Sequence, residues 1–156
     1  MTELNQKLLD HFLNPRNVGV IENPDGFGRA LNPVNQYITD MYLRVKDGYI
    51  DDIKFKTFGC VVTIAAASAL TAKIKGKSLR DIIDSKNSLK MLEELIEKEL
   101  GVVPEENWHC PPTAIHALLL AFSDYCKRVH DKQREKQIED MLKEVQCFFK
   151  GRMNEQ

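Results

Sequence analysis

The sequence predicts an α+β fold, with a β-hairpin in the first third of the chain and helices from there onward. Two alternating runs over residues 37–58 meet at an Asp-Gly turn, the pattern of a hairpin. An Ala-rich run over residues 61–75 follows at once, and from residue 88 apolar side chains recur at helical spacing.

The first element expected is a helix over residues 3–13, with Leu4, Leu8 and Phe12 four apart and a stop at Asn14–Pro15. The stretch "NPRNVGVIENPDGFGRALNPVNQ", residues 14–36, is dense in Gly, Pro and Asn. It reads as a long loop, which in a compact domain points to function. In "YITDMYLRV" Thr39, Met41, Leu43 and Val45 share one face; in "YIDDIKFKTF" Ile53, Phe55 and Thr57 share one, and Lys54 and Lys56 take the other. Helices are predicted over 61–75, over "LRDII" behind a Ser78 cap, and over 88–100 with Leu89, Leu92, Leu95, Ile96 and Leu100 on one face. "GVVPEENW" interrupts the pattern. Beyond it Pro111 and Pro112 suit a first helical turn, and no Pro or Gly recurs before Gly151. One apolar stripe runs through Ile115, Leu118, Leu119, Phe122, Cys126 and Val129, and a second through Ile138, Met141, Leu142, Val145 and Phe149. With "HDKQREKQ" polar between them, one long or broken helix with a solvated middle accounts for both. The organisation expected is one domain over residues 1–129 and a C-terminal helical extension, residues 130–156, packed on it or continuing from it.

A chain of 156 residues, 43% of them hydrophobic, can bury one core. Its formal net charge of −1 provides no basic footprint, which argues against nucleic acid and anionic membrane as primary partners. "MTELNQKLLDHF" has neither the apolar core of a signal peptide nor an Arg-rich transit composition, and no stretch reaches the ~18 apolar residues of a membrane span. A cytoplasmic protein is expected.

The four cysteines, at 60, 110, 126 and 147, form no C-x-x-C pair, and in a reducing compartment structural disulfides are not expected. Cys126 and Cys147 fall along predicted helices and read as small buried residues. Cys60 and Cys110 differ. Cys60 follows strand and glycine and opens a helix; Cys110, beside His109 in "NWHCPP", opens another. Free N–H groups and the positive end of a helix dipole favour thiolate at both places. Neighbouring residues such as His109 and Cys110 face one metal only at an irregular junction, and a helix start is one. By spacing alone, a three-ligand metal or sulfur site and an ordinary buried Cys with an ordinary His both remain open. His11, His116 and His130 read as structural or solvated.

"LLDHFLNPRNVG" (8–19), "DGYIDDIKFKTFGC" (47–60), "KGKSLRD" (75–81) and "HC" opening a helix stand in an order and spacing that resembles the U-type iron–sulfur cluster scaffold family, the IscU and NifU N-terminal-domain proteins. The similarity runs across roughly residues 3–126. It implies a three-stranded antiparallel sheet packed against helices, with ligands gathered at one exposed end. The family's central cysteine falls on Cys60, its histidine on His109 and its last cysteine on Cys110. Those three are the implied ligands of iron, a labile [2Fe–2S] cluster or zinc. The implied role is a non-enzymatic scaffold or carrier that accepts persulfide sulfur from a PLP-dependent cysteine desulfurase and hands its product to Fe–S recipient proteins. Cys110 is the preferred sulfur acceptor and Cys60 the second, thiolate being the attacking form.

The chain departs from the family pattern at several positions. Asn35 stands where the family has its first cysteine and Tyr37 where it has an aspartate; Val61 and Val62 replace Gly-Ser after the central cysteine. "VPEEN" (103–107) replaces the Leu-Pro-Pro-Val-Lys signal read by an Hsp70-type chaperone, so that contact is not expected to carry over. A [2Fe–2S] cluster takes four terminal ligands and three remain. A labile cluster completed from outside, a cluster bridging a homodimer, or one metal with an open position each fits three. The rival readings are a zinc-binding desulfurase partner or persulfide relay, and an interaction module that uses the apolar stripe of residues 138–149.

Overall fold

The computed structural model describes residues 5–155. The elements are α1 (Gln6–Leu13), β1 (Gly26–Leu31), β2 (Ile38–Lys46), β3 (Tyr49–Thr57), α2 (Val61–Ile74), α3 (Leu79–Ile83), α4 (Ser88–Leu100), a 3-10 turn (Glu105–Asn107), α5 (Cys110–Arg128) and α6 (Lys132–Asn154). The three strands form one antiparallel sheet in the order β1-β2-β3. That is the α+β architecture expected.

The hairpin follows the period-2 pattern. Met41, Leu43, Ile53 and Phe55 are buried on one face, and Asp47 and Gly48 make the turn with positive φ at both, as a two-residue hairpin requires. Ala-rich α2 is buried nearly all round, from Val62 to Ile74, between α1, α4 and α5. Small side chains let those neighbours approach closely. Ser78 caps α3 as expected, its hydroxyl accepting from the Asp81 N–H.

Two expectations need correction, and one alternative is resolved. Residues 14–36 are not one loop, because β1 lies within them and pairs with β2. Its alternation is hidden by glycine: a Cβ on Gly26 or Gly28 would overlap the carbonyl oxygen of Ala121 or Ala117, so β1 lies directly against the α5 backbone. Of the two forms expected for the C-terminal helical region, the broken one is found, interrupted where His130 takes a left-handed conformation (φ 59°) and Asp131 caps α6 by accepting from the Arg134 N–H. α6 then folds back on α5, burying Ile138, Met141, Val145 and Phe149. Cys126 is buried, but Cys147 is exposed, since it lies two residues past Val145 and thus on the far side of the helix. Leu4, placed in the first helix, lies outside the described residues.

The NPRNVG segment covers the free edge of the sheet. Asn17 accepts at its carbonyl from the Phe55 N–H, and Gly19 donates to the Phe55 carbonyl, each at 2.9 Å. The Asn17 amide donates to Thr71 Oγ1 and the Arg16 N–H to Ser68 Oγ, which ties this edge to α2. His11, buried, stands 2.8 Å from Ser68 Oγ and 3.2 Å from Glu99, a structural role. Among the described residues no helix is long and apolar enough to cross a membrane.

Candidate metal and sulfur site

Phe58 and Gly59 carry the chain from β3 to Cys60, the extended N-cap residue of α2. Gly59 is required by close approach, because a Cβ there would stand 2.6 Å from Thr63 Cβ. Thr63 thereby places its hydroxyl 3.6 Å from the Cys60 sulfur. Fifty positions on, the 3-10 turn leads through Trp108 to His109, the N-cap of α5, and Cys110, its first residue. The Cys60 and Cys110 sulfurs are 3.4 Å apart, and Cys110 Sγ is 3.6 Å from His109 Nδ1. The fold therefore brings together the three residues singled out in the sequence. Cys126 is buried in α5, and His130 lies beyond that helix's end.

The two sulfurs are not equivalent. Cys60 is half-buried and Cys110 fully buried. The Cys110 thiol donates to the Cys60 sulfur, and the Thr63 hydroxyl and the Val62 and Thr63 N–H groups add to it, which brings Cys60 down to about 5. Holding that proton, and buried, Cys110 is pushed far above the ordinary thiol range. Both residues sit at helix starts, as expected, but burial assigns the thiolate to Cys60 rather than Cys110. Burial also lowers the His109 pKa and keeps the imidazole neutral, the form that binds metals.

Residues 32–37 form the third wall. Asn32 donates from its amide to His109 Nδ1 at 2.8 Å, while its Oδ1 accepts from the Val34 N–H at 2.9 Å. Asn35 accepts at its Oδ1 from the Tyr37 N–H at 3.0 Å, and Gln36 is left-handed (φ 67°). Tyr37 is exposed. The Asn35 Oδ1 is thus engaged within the turn. Sequence reasoning passed over Asn32, Thr63 and Asn107, whose amide lies 3.8 Å from the Cys60 sulfur. The signal available for Asn32 was an Asn-Pro pair at the end of a strand.

Behind the site, Trp108 is held by α6. Its ring meets Phe148 at 5.9 Å and Phe149 at 6.0 Å, Arg152 lies over it at 4.8 Å, and the same guanidinium pairs with Glu105.

Tetrahedral zinc, with Zn–S about 2.3 Å and Zn–N about 2.0 Å, spaces two sulfurs by about 3.8 Å and sulfur from nitrogen by about 3.5 Å. The separations of 3.4 and 3.6 Å are close to those edges. Among the described residues no group of three or more His, Cys, Asp and Glu side chains stands in metal-holding geometry. The donor types fit zinc or iron; His109 gives its Nδ1 lone pair to Asn32 instead.

Comparison with known proteins identifies the family and the fold. The model of the NifU-like N-terminal domain matches residues 3–132. The chain is 39% identical over 149 residues, 96% of its length and 93% of the relative's, to iron–sulfur cluster assembly scaffold protein IscU 1 of Archaeoglobus fulgidus. It is 35% identical, over 91% of its length and 88% of the relative's, to the IscU scaffold protein of Aquifex aeolicus. In fold it resembles a putative SUF-system scaffold protein from Fervidobacterium islandicum, with a TM-score of 0.58 and 17% identity over 75% of this chain and 94% of that one. By family model and by full-length relatives alike, this chain belongs to the NifU-like N-terminal-domain family.

Proposed function

We propose that this protein is a non-enzymatic scaffold or carrier in iron–sulfur cluster assembly, working in the cytoplasm, with Cys60, His109 and Cys110 as its ligands. The observation that carries the reading is the meeting of the three at two helix starts, with sulfurs 3.4 Å apart. The names of its relatives support the same role. The cargo is iron with sulfide, or a labile [2Fe–2S] cluster. Three donors hold it loosely, and a fourth comes from outside or from a second copy.

Sulfur enters as persulfide from a cysteine desulfurase. The Cys60 thiolate attacks the outer sulfur of the donor persulfide, the donor's S–S bond breaks, and the desulfurase cysteine leaves as thiolate. This order reverses the expectation from sequence, where Cys110 came first. Cys60 is both the more accessible of the two and the ionised one. Cys110 stands next to it as second acceptor. Exposed Val34, Tyr37, Ile38 and Phe58 lie on the segments that lead into the site, a surface suited to a docking desulfurase. The segment that replaces the chaperone signal is tied to α6 through Glu105 and Arg152, which favours no chaperone contact.

Zinc binding with persulfide relay, and no cluster, is the second reading. It is favoured by Asn35, which stands in place of a cysteine and whose Oδ1 is engaged by the turn. Iron and sulfide reconstitution decides between them: a cluster absorption band in the visible that is lost in Cys60→Ser supports the scaffold. A featureless spectrum with retained zinc supports the relay.

A further inference from the structure

We propose that Asn32 is a latch on His109, which couples occupation of the site to the conformation of the 32–37 turn. The inference rests on His109 being a ligand through Nδ1.

Asn32 is buried, and nearly every polar group it has is used. Its N–H donates to the Tyr37 carbonyl and its carbonyl accepts from the Gln36 N–H, both at 2.9 Å, which closes the turn. Its Oδ1 accepts from the Val34 N–H at 2.9 Å and the Asn35 N–H at 3.4 Å. Those two contacts fix the amide's orientation, so the group facing His109 is NH2, a donor. His109 Nδ1 must then be the acceptor and carry a lone pair, with the ring proton on Nε2.

Nδ1 is also the nitrogen beside the sulfurs, 3.6 Å from Cys110. A metal and an N–H donor compete for one lone pair. When a metal takes Nδ1, the Asn32 NH2 is left buried without an acceptor, which is unfavourable. The amide must turn away, and the caps on Val34 and Asn35 leave with it. Loading thus unfastens the turn that carries Asn35, Gln36 and exposed Tyr37; emptying the site fastens it again. Asn32 is a positioning residue: it sets the imidazole tautomer so that Nδ1 is ready to bind, and it keeps that atom closed until a metal displaces it.

The test uses the full chain, Zn2+ alone as probe, and nitrogen-15 NMR with His109 assigned through His109→Gln. In the metal-free protein His109 is expected as the Nε2–H tautomer. Zinc should move Nδ1 to a metallated shift and, together with it, displace the amide signals of Val34, Asn35 and Gln36. Asn32→Ser, whose hydroxyl can still cap Val34 but cannot reach His109, should bind zinc on the order of 10-fold more tightly in chelator competition. Its turn amides should no longer respond. Zinc on Nδ1 with unmoved Val34–Gln36 amides, or unchanged affinity in Asn32→Ser, overturns the latch and leaves His109 a ligand. Zinc that binds without metallating His109 overturns the ligand assignment and the latch with it. Asn32→Asp guards against loss of fold in the serine variant. It keeps the Oδ1 cap but replaces the donor by an acceptor, so metal-free His109 should carry its proton on Nδ1, and persistence of the Nε2–H tautomer there also overturns the proposal.

Discussion

The Cys110 thiol donates to the Cys60 sulfur across 3.4 Å, so two residues fifty positions apart share one proton, and burial leaves it on Cys110. The sign of the pH dependence follows. Cys60 is lowered to about 5, so in the metal-free protein its alkylation by iodoacetamide should rise through about pH 5 and be level by pH 7. Cys110 should stay unmodified there, and exposed Cys147 should react by access alone. In the folded pair one proton is lost below, and one above, the unfolded thiol range near 8.5. Stability from the pair therefore rises with pH up to that range, falls beyond it, and is lost as pH drops through about 5. Peptide mapping by mass spectrometry after timed alkylation checks the order. In Cys110→Ala the Cys60 midpoint should move upward, because its strongest donor is gone.

A cysteine at position 35 should supply the missing donor. Asn35 now accepts from the Tyr37 N–H, and left-handed Gln36 follows it. Asn35→Cys combined with Gln36→Gly keeps the turn accessible, since glycine takes positive φ without strain. Zinc affinity should rise on the order of 10-fold or more as a fourth ligand closes the shell. Chelator competition measures it, and an unchanged constant would remove the missing-ligand account.

The C-terminal helix should control the stiffness of the site. Phe149 is buried against Trp108, whose neighbours in sequence are Asn107 and His109. Phe149→Ala should cost about 3–5 kcal/mol and lower the melting temperature by roughly 6–20 °C. Trp108 is the single tryptophan, so its emission should shift to the red as its cover is lost. Calorimetry and fluorescence on one sample read both, and a melting temperature within 2 °C of the parent, on the order of 1 kcal/mol or less, would show that α6 does not bear on the site.

Gly28 should tolerate no side chain. A Cβ there meets the Ala117 carbonyl, and the α5 backbone cannot move aside without shifting Cys110 at its start. Gly28→Ala should destabilise by about 1–3 kcal/mol or more. Urea unfolding gives the value, and Gly151→Ala, which has open space around it inside α6, is the contrasting case, expected to stabilise by about 0.5–1 kcal/mol.

Most of the helices and the hairpin were legible because their signals are local. Ser88–Leu100 follows its apolar spacing, Ser78 caps the helix it precedes, and Asp47–Gly48 makes the turn its composition demands. Where the decision lay in another element, local reading failed or left two forms open. β1 is a strand because α5 covers its glycines, the break at His130 exists because α6 gains a buried face by folding back, and Cys147 is exposed because that face passes it by. The candidate site divides in the same way. Sequence by itself determined which residues stand at two helix starts, since strand, glycine, proline and cysteine are read along the chain. Only the tertiary structure decided that those starts meet, that Cys60 holds the charge and Cys110 the proton, and that Asn32 occupies His109, because distance, burial and competition for one lone pair arise only when separate segments are packed together.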